Sequence, residues 1–332
     1  VHTSSGYSSY LKIAEGCSKH CTYCIIPKLR GNYRSVPMEE LLVEAEQLSK
    51  EGTKELIVIA QETTVYGVDL YGEKQLPKLL HELCKIDGIE WVRLLYCYPE
   101  EITEELVQTI KTEKKICHYL DLPIQHCNDD ILKRMGRKTT QADLREKISM
   151  LRKEIPDIAL RTTLISGFPG ETNENHEECV DFVANMKFER LGVFPYSPEE
   201  GTPAAGYDRQ LPDKIKQEWA DEIMQTEQNV IFAQNEEMIG RKLSVIVDGY
   251  LPEDGVYVGR TYRDAPEIDG CLFFEAPYEI ISGTILPVLV TDANGYDLIG
   301  EILPEEEDLC LHSPQQHLED SIPVLDLLAL AL

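Results

Sequence analysis

No run of about 18 apolar residues occurs in this 332-residue chain, so no membrane-spanning helix is expected. The apolar end "IPVLDLLALAL" is too short and carries Asp326. A basic leader with an apolar core is also missing at the start, and the first residue is Val1 rather than Met. The chain therefore reads as a fragment or a processed form. Basic residues are scarce, with 32 Lys and Arg against 59 Asp and Glu, a net charge of −27. That balance argues against a general polyanion binder, because phosphate contacts need clustered Lys and Arg. It suits a basic protein partner drawn in by long-range attraction. Solubility alone is the plainer explanation of the same charge. No Ser/His/Asp set and no paired carboxylates stand out.

What is present is cysteine, in an uneven distribution. Of 10 cysteines, three crowd into residues 16–24, "GCSKHCTYC", at Cys17, Cys21 and Cys24. The others, Cys84, Cys97, Cys117, Cys127, Cys179, Cys271 and Cys310, share no spacing. A disulfide scaffold is not implied at this length. Reduced cytosolic thiols with one ligand cluster fit better, and the scattered cysteines are expected to be small core residues.

Short apolar runs alternate with helical patterns. The runs are "SYLKIAEG", "ELIVIAQ", "WVRLLYCY", "HYLDLPIQH", "ALRTTLISGF" and "RLGVFPYS". Six strand–helix units predict a parallel sheet with right-handed crossovers. They fall short of the eight of a closed barrel. The expected fold is α/β, a partial (β/α)6 TIM-like barrel over 1–211 with its chemistry at the C-terminal strand ends. One long helix is expected over 212–238 as a linker. Five short β-like runs then occupy 239–303, with turns at Asp254–Gly255 and Asn294–Gly295. They predict a small OB-like antiparallel β-barrel. The tail, 304–332, has seven acids and no Lys or Arg from Glu305 onward and is expected to be flexible.

The C-x3-C-x2-C spacing admits three readings. Positions 0, 4 and 7 share one face of a helix. Ser18, Lys19, His20 and Thr22 are poor core-helix residues, however, and Gly16 and Pro27 bracket the segment. A structural zinc site wants four ligands, usually in two pairs, and no partner pair is visible. An iron–sulfur cube explains the missing fourth cysteine, because three thiolates leave one iron free to bind a small molecule.

C-x3-C-x2-C after the first strand of a six-unit barrel resembles the radical S-adenosylmethionine enzymes. Within them, "YLKIAEGCSKHCTYCIIPKLRGNYRS", "LRTTLISGFPGET" and "YSPEEGTPAA" look like the methylthiotransferases, whose final domain is the small TRAM β-barrel. The match covers roughly residues 7–303. Two branches compete, one acting on an adenosine of transfer RNA, the other on an aspartate of small-subunit ribosomal protein twelve. "QETTVYGVDLYG" and "YLDLPIQH" look like the ribosomal-protein branch, and Glu199–Glu200 stands where the transfer-RNA branch usually has Arg-Pro. Charge agrees: residues 239–303 hold Arg241, Lys242, Arg260 and Arg263 against eleven acids. Such a barrel should repel RNA and attract a basic ribosomal protein.

The resemblance implies a 4Fe–4S cluster on Cys17, Cys21 and Cys24, with S-adenosylmethionine on the open iron. It implies a radical that abstracts hydrogen from the aspartate β-carbon, which then gains a methylthio group. An electron donor such as flavodoxin or ferredoxin and a cytoplasmic setting go with that chemistry. The family also has an N-terminal domain holding an auxiliary 4Fe–4S cluster, expected only in the full-length protein. This chain is therefore expected to bind one cluster and cleave S-adenosylmethionine without completing sulfur insertion. Tyr23 is placed to shield or stack near the cosubstrate. Glu62, ending strand two, is assigned to the methionine amine, with a helix-capping turn as the plain alternative. Arg137, in the basic run "LKRMGRKTT", suits bidentate binding of the methionine carboxylate, against a merely solvated face. Gly167 would let backbone approach the adenine, or would serve an ordinary strand–helix turn. Gln125, His126, Lys28, Arg30 and Arg34 are weaker candidates.

Overall fold

The computed structural model describes residues 6–303. The acidic tail and Cys310 lie outside the described residues. From the N-terminus run β1 (Ser8–Lys12), the short β2 (Ala14–Glu15), α1 (Ile26–Arg30), β3 (Arg34–Ser35), α2 (Met38–Lys50) and β4 (Glu55–Ile59). Then come α3 (Val68–Tyr71), α4 (Leu76–Cys84), β5 (Trp91–Leu94), α5 (Glu104–Thr112), β6 (Ile116–Asp121), α6 (Asp129–Arg134) and α7 (Gln141–Glu154). β7 (Ala159–Ser166), α8 (Asn173–Met186), β8 (Arg190–Pro195) and α9 (Asp213–Glu236) follow. The last strands are β9 (Lys242–Leu251), β10 (Val256–Arg260), β11 (Leu272–Glu275), β12 (Ile285–Asn294) and β13 (Asp297–Ile302).

β1, β4, β5, β6, β7 and β8 form one sheet in that order, every neighbouring pair parallel. This is the expected open six-stranded partial barrel. Its strands are covered on the outside by helices, so their apolar residues run almost without interruption, as in "ELIVI" of β4. The helices present matching stripes. Leu76, Leu79, Leu80 and Leu83 of α4 are buried, as are Leu144, Ile148 and Leu151 of α7. Capping boxes start α7 at Thr140 with Asp143 and α8 at Thr172 with Asn175. Among the described residues, no helix is long and apolar enough to cross a membrane.

β10, β11, β13, β12 and β9 close a second, smaller barrel. The expectation of an antiparallel barrel needs one correction: β11 and β13 are parallel, with Leu272 opposite Leu298 and Glu275 opposite Glu301. The reason is arithmetic. Directions that alternate around a ring of five strands must repeat once, so one pair has to be parallel. The hairpin at Asn294–Gly295 joins β12 to β13, and Gly295 supplies a positive φ of 65° there.

The small barrel is fastened to the large sheet by charge. Arg260 bonds Glu55 of β4 at 2.9 Å and Asp248 of β9 at 2.9 Å. Arg93 of β5 takes the other Glu55 oxygen at 2.8 Å. Arg190 of β8 bonds Asp264 at 3.0 Å, and Asp269 accepts from Tyr119 at 2.8 Å. Burial opposes ionisation of Glu55, but Arg93 and Arg260 outweigh it and hold its pKa below the usual carboxylate range.

Candidate active site

The three-cysteine loop leaves the sheet after β1 and turns at Gly16. That residue has a φ of 82°, and a Cβ on it would stand 2.4 Å from the Asn32 carbonyl oxygen. Glycine is required there on both counts. Gly16 N–H donates to Gln61 Oε1 at 2.8 Å, and Cys17 N–H to Gly31 O at 3.2 Å. Further on, Thr22 N–H donates to Met135 O at 2.9 Å and its hydroxyl to Arg134 O at 2.8 Å. Residues 16–24 form no helix, so the three cysteines are not a helical stripe. Cys17 and Cys21 are 6% exposed and Cys24 is half-buried. The backbone, tied to β4's end and to the α6 turn, fixes where the thiols sit.

Two of the expected site residues, Arg137 and Tyr23, lie within electrostatic reach of Cys21. Arg137 is buried, not part of a solvated face, while Lys133 and Lys138 of the same run are exposed. Its guanidinium lies 4.2 Å from the ring centre of Tyr98. One nitrogen donates to Pro123 O at 3.2 Å, and its Nε and Nη1 have no partner. The Tyr98 hydroxyl stands 3.5 Å from Cys21 Sγ. Tyr23 packs edge-on against Phe168 at 6.4 Å between ring centres.

Glu62 is 1% exposed and is linked to Tyr98 through Lys19, which lies over the tyrosine ring, and through Thr64. Its Oε1 accepts from Thr64 N–H at 2.9 Å and from the Thr64 hydroxyl. Its Oε2 is buried without a hydrogen bond, 3.8 Å from Lys19 Nζ. Burial raises its pKa to about 7 despite Thr64 and Lys19. That oxygen makes no hydrogen bond, and the one cation it faces among the described residues is the Lys19 ammonium.

Gly167 does not join this group. Its φ is 73°, and a Cβ would stand 2.3 Å from Lys216 Cγ of α9. The close approach of α9 accounts for the glycine without a ligand on that side. Arg30 and Arg34 are also spent locally: Arg34 donates to Asn32 O and Arg30 O, and Arg30 lies 3.8 Å from Glu15. Lys28 donates to Gly201 O.

A cleft of about 410 Å³ opens beside Cys24 at the C-terminal ends of β6, β7 and β8. Tyr23, Gln125, Thr163, Phe194 and Tyr196 line it. Gln125 is bridged into the sheet opposite Leu164, with φ at 71°. His126 turns away and is buried. Its Nδ1 accepts from Asn128 N–H at 3.0 Å, which leaves the ring proton on Nε2, 3.2 Å from Glu171. Cys127 and Cys179 lie beside it, their sulfurs 3.5 Å apart. A metal on His126 Nε2 would need the proton on Nδ1, facing that N–H donor, so the hydrogen bond from Asn128 disfavours a metal among the three. The sequence reading missed Tyr98, Lys19 and Phe168. Tyr98 carried a usable signal, since it follows β5 at the face where such barrels place their chemistry.

The residues of the loop fit a cubane better than a single ion. Among the described residues, the donor atoms that gather within 4.8 Å of one another belong to His126, Cys127 and Cys179, not to Cys17, Cys21 and Cys24. One tetrahedral zinc draws its sulfurs to roughly 3.8 Å, given a Zn–S bond of about 2.3 Å. A cluster spreads its thiolates over separate irons.

Comparison with known proteins agrees. Residues 11–183 match the model of the radical SAM superfamily, and residues 239–303 that of the TRAM domain. The ribosomal protein uS12 methylthiotransferase RimO of Lachnoclostridium phytofermentans is 62% identical over 300 residues, 90% of this chain and 68% of that protein. The RimO protein of Clostridioides difficile strain 630 is 49% identical over 299 residues, 90% of this chain and 67% of its own length. The solved structure of TsrM from Kitasatospora setae, a radical S-adenosylmethionine methyltransferase, superposes with a TM-score of 0.50. It shares 18% identity, covers 59% of this chain and 38% of that one, and supports the fold alone. Radical SAM enzymes work with a 4Fe–4S cluster and S-adenosylmethionine. The chain belongs to the radical SAM superfamily and, within it, to the family of the uS12 methylthiotransferases.

Proposed function

We propose that this chain holds a 4Fe–4S cluster on Cys17, Cys21 and Cys24, cleaves S-adenosylmethionine, and serves methylthiolation of an aspartate β-carbon in uS12. The observation that carries this reading is the position of the three-cysteine loop. It leaves the first strand of an open parallel barrel and is flanked by two buried groups, Glu62 and Arg137, each with side-chain atoms that make no hydrogen bond. When bound, the cluster and S-adenosylmethionine supply one-electron cleavage of a sulfonium S–C bond and hydrogen abstraction from carbon. The chain's residues bind and orient. Glu62 Oε2 takes the methionine ammonium, and Arg137 Nε and Nη1 take the carboxylate. Tyr23 and Phe168 wall off the site, and the cleft beside Cys24 admits the target side chain.

Charge supports uS12 over RNA more strongly than composition alone. Arg260 and Arg263 are buried, so only Arg241 and Lys242 of the small barrel's bases face outward. Glu253, Asp254, Glu267, Glu275, Glu279, Asp292 and Glu301 are exposed. This surface attracts a Lys/Arg-rich protein and repels phosphates. A low-potential protein of the flavodoxin or ferredoxin class is the electron donor, and the cytoplasm is the compartment this partner implies.

The test is anaerobic reconstitution followed by reduction. About four irons per chain and 5′-deoxyadenosine from S-adenosylmethionine are expected. Immobilised chain should retain uS12 at low salt and release it at high salt. Tight zinc without iron would overturn the chemistry, and preference for transfer RNA over uS12 would overturn the partner.

A further inference from the structure

The hydroxyl of Tyr98 is aimed at a cluster ligand. It lies 3.5 Å from Cys21 Sγ. The tyrosine sits where β5 gives way to the Pro99–Glu101 turn, and its N–H donates to Thr64 Oγ1 at 3.3 Å. Arg137 and Lys19 both lie over its ring, at 4.2 and 4.9 Å from the ring centre. The ring is thus held by its backbone and by two cation–π contacts.

We propose that Tyr98 is a positioning residue that raises the reduction potential of the cluster by donating a hydrogen bond to the Cys21 thiolate. The inference rests on the cluster assignment made above. A phenol keeps its proton at neutral pH, so against a thiolate it can only donate. Reduction places one more negative charge on the cluster and its sulfurs. A donor aimed at one sulfur stabilises the reduced state more than the oxidised one. Hydrogen bonds to the sulfurs are among the factors that set such potentials.

The experiment is an EPR-monitored redox titration of the reconstituted chain and of Tyr98→Phe, which keeps the ring and its two cations. At equal iron content, the variant's midpoint should be more negative, with a smaller reduced fraction at any fixed potential. Proton ENDOR in H2O against D2O should show an exchangeable proton coupled to the reduced cluster that is missing in Tyr98→Phe. An unchanged or more positive midpoint, or persistence of that proton, would overturn the role of Tyr98 while leaving the cluster assignment intact. Failure of the unmodified chain to take up a four-iron centre would instead overturn the assignment, and this proposal with it.

Discussion

Glu55 Oε2 and Arg260 Nη2 meet at 2.9 Å, both side chains buried, although 205 positions separate them in sequence. Arg93 holds the carboxylate's other oxygen at 2.8 Å. Replacing one member strands the others. Glu55→Gln should therefore cost on the order of 3–5 kcal/mol in chemical denaturation. The folded pKa of Glu55 is depressed, so its contribution is present above the unfolded carboxylate pKa and disappears as pH falls through the folded one. Acid unfolding should be steeper in the natural chain than in the variant. Equal steepness would count against this ion network as the fastening.

Glu62 behaves in the opposite sense. Its pKa is raised from 4.5 to about 7, so the metal-free fold gains most from it below the unfolded pKa and loses that gain as pH rises through about 7. Glu62→Gln should remove the slope and make the metal-free chain more stable at alkaline pH by on the order of 1–3 kcal/mol. The reconstituted variant should bind S-adenosylmethionine roughly ten- to a hundredfold more weakly, since a charge-assisted bond to its ammonium is lost. Calorimetry at several pH values and equilibrium binding measure the two effects. Undiminished affinity would remove Glu62 from the site.

Cys21→Ser should leave about one iron or fewer per chain after reconstitution, against about four in the natural chain. The circular dichroism melt should change little, because the loop is held by backbone bonds to Gln61, Gly31 and Met135. Full iron in the variant would refute the ligand assignment.

Gly16→Ala tests the loop's backbone. The substitution meets a left-handed φ, costing about 1–3 kcal/mol, and a carbonyl oxygen 2.4 Å from the new Cβ. The melt should drop, and iron uptake should fall with all three cysteines still present. Unaltered iron would mean that the loop's path tolerates displacement.

The large sheet was legible because its strands and helices alternate locally, with caps and apolar periods in the sequence itself. The three-cysteine loop was legible because its spacing is dense and its setting, after β1, is local too. Relations across long separations were not. Arg260 and Arg263 read as surface charges until folding brought them against Glu55, Arg190 and Asp264. Arg137 sits in a run of basic residues whose neighbours are solvated, and only the Tyr98 ring and Pro123 show why it alone is buried. Gly167 answers to Lys216, a partner 49 positions on. Tyr98 could be placed at a strand end from sequence, but not opposite Cys21.

The buried charges shared by the two barrels set a limit on dissection. Cutting the chain after α9 would leave Glu55, Arg93 and Arg190 facing water or one another without Arg260 and Asp264. The smaller barrel, released alone, would expose their partners Arg260 and Asp264 together with Ile246 and Ala265, which pack against Ile57, Trp91 and Tyr119 of the large sheet. Neither half should survive as a soluble piece, and attempts to shorten this enzyme to a minimal catalytic unit should keep both.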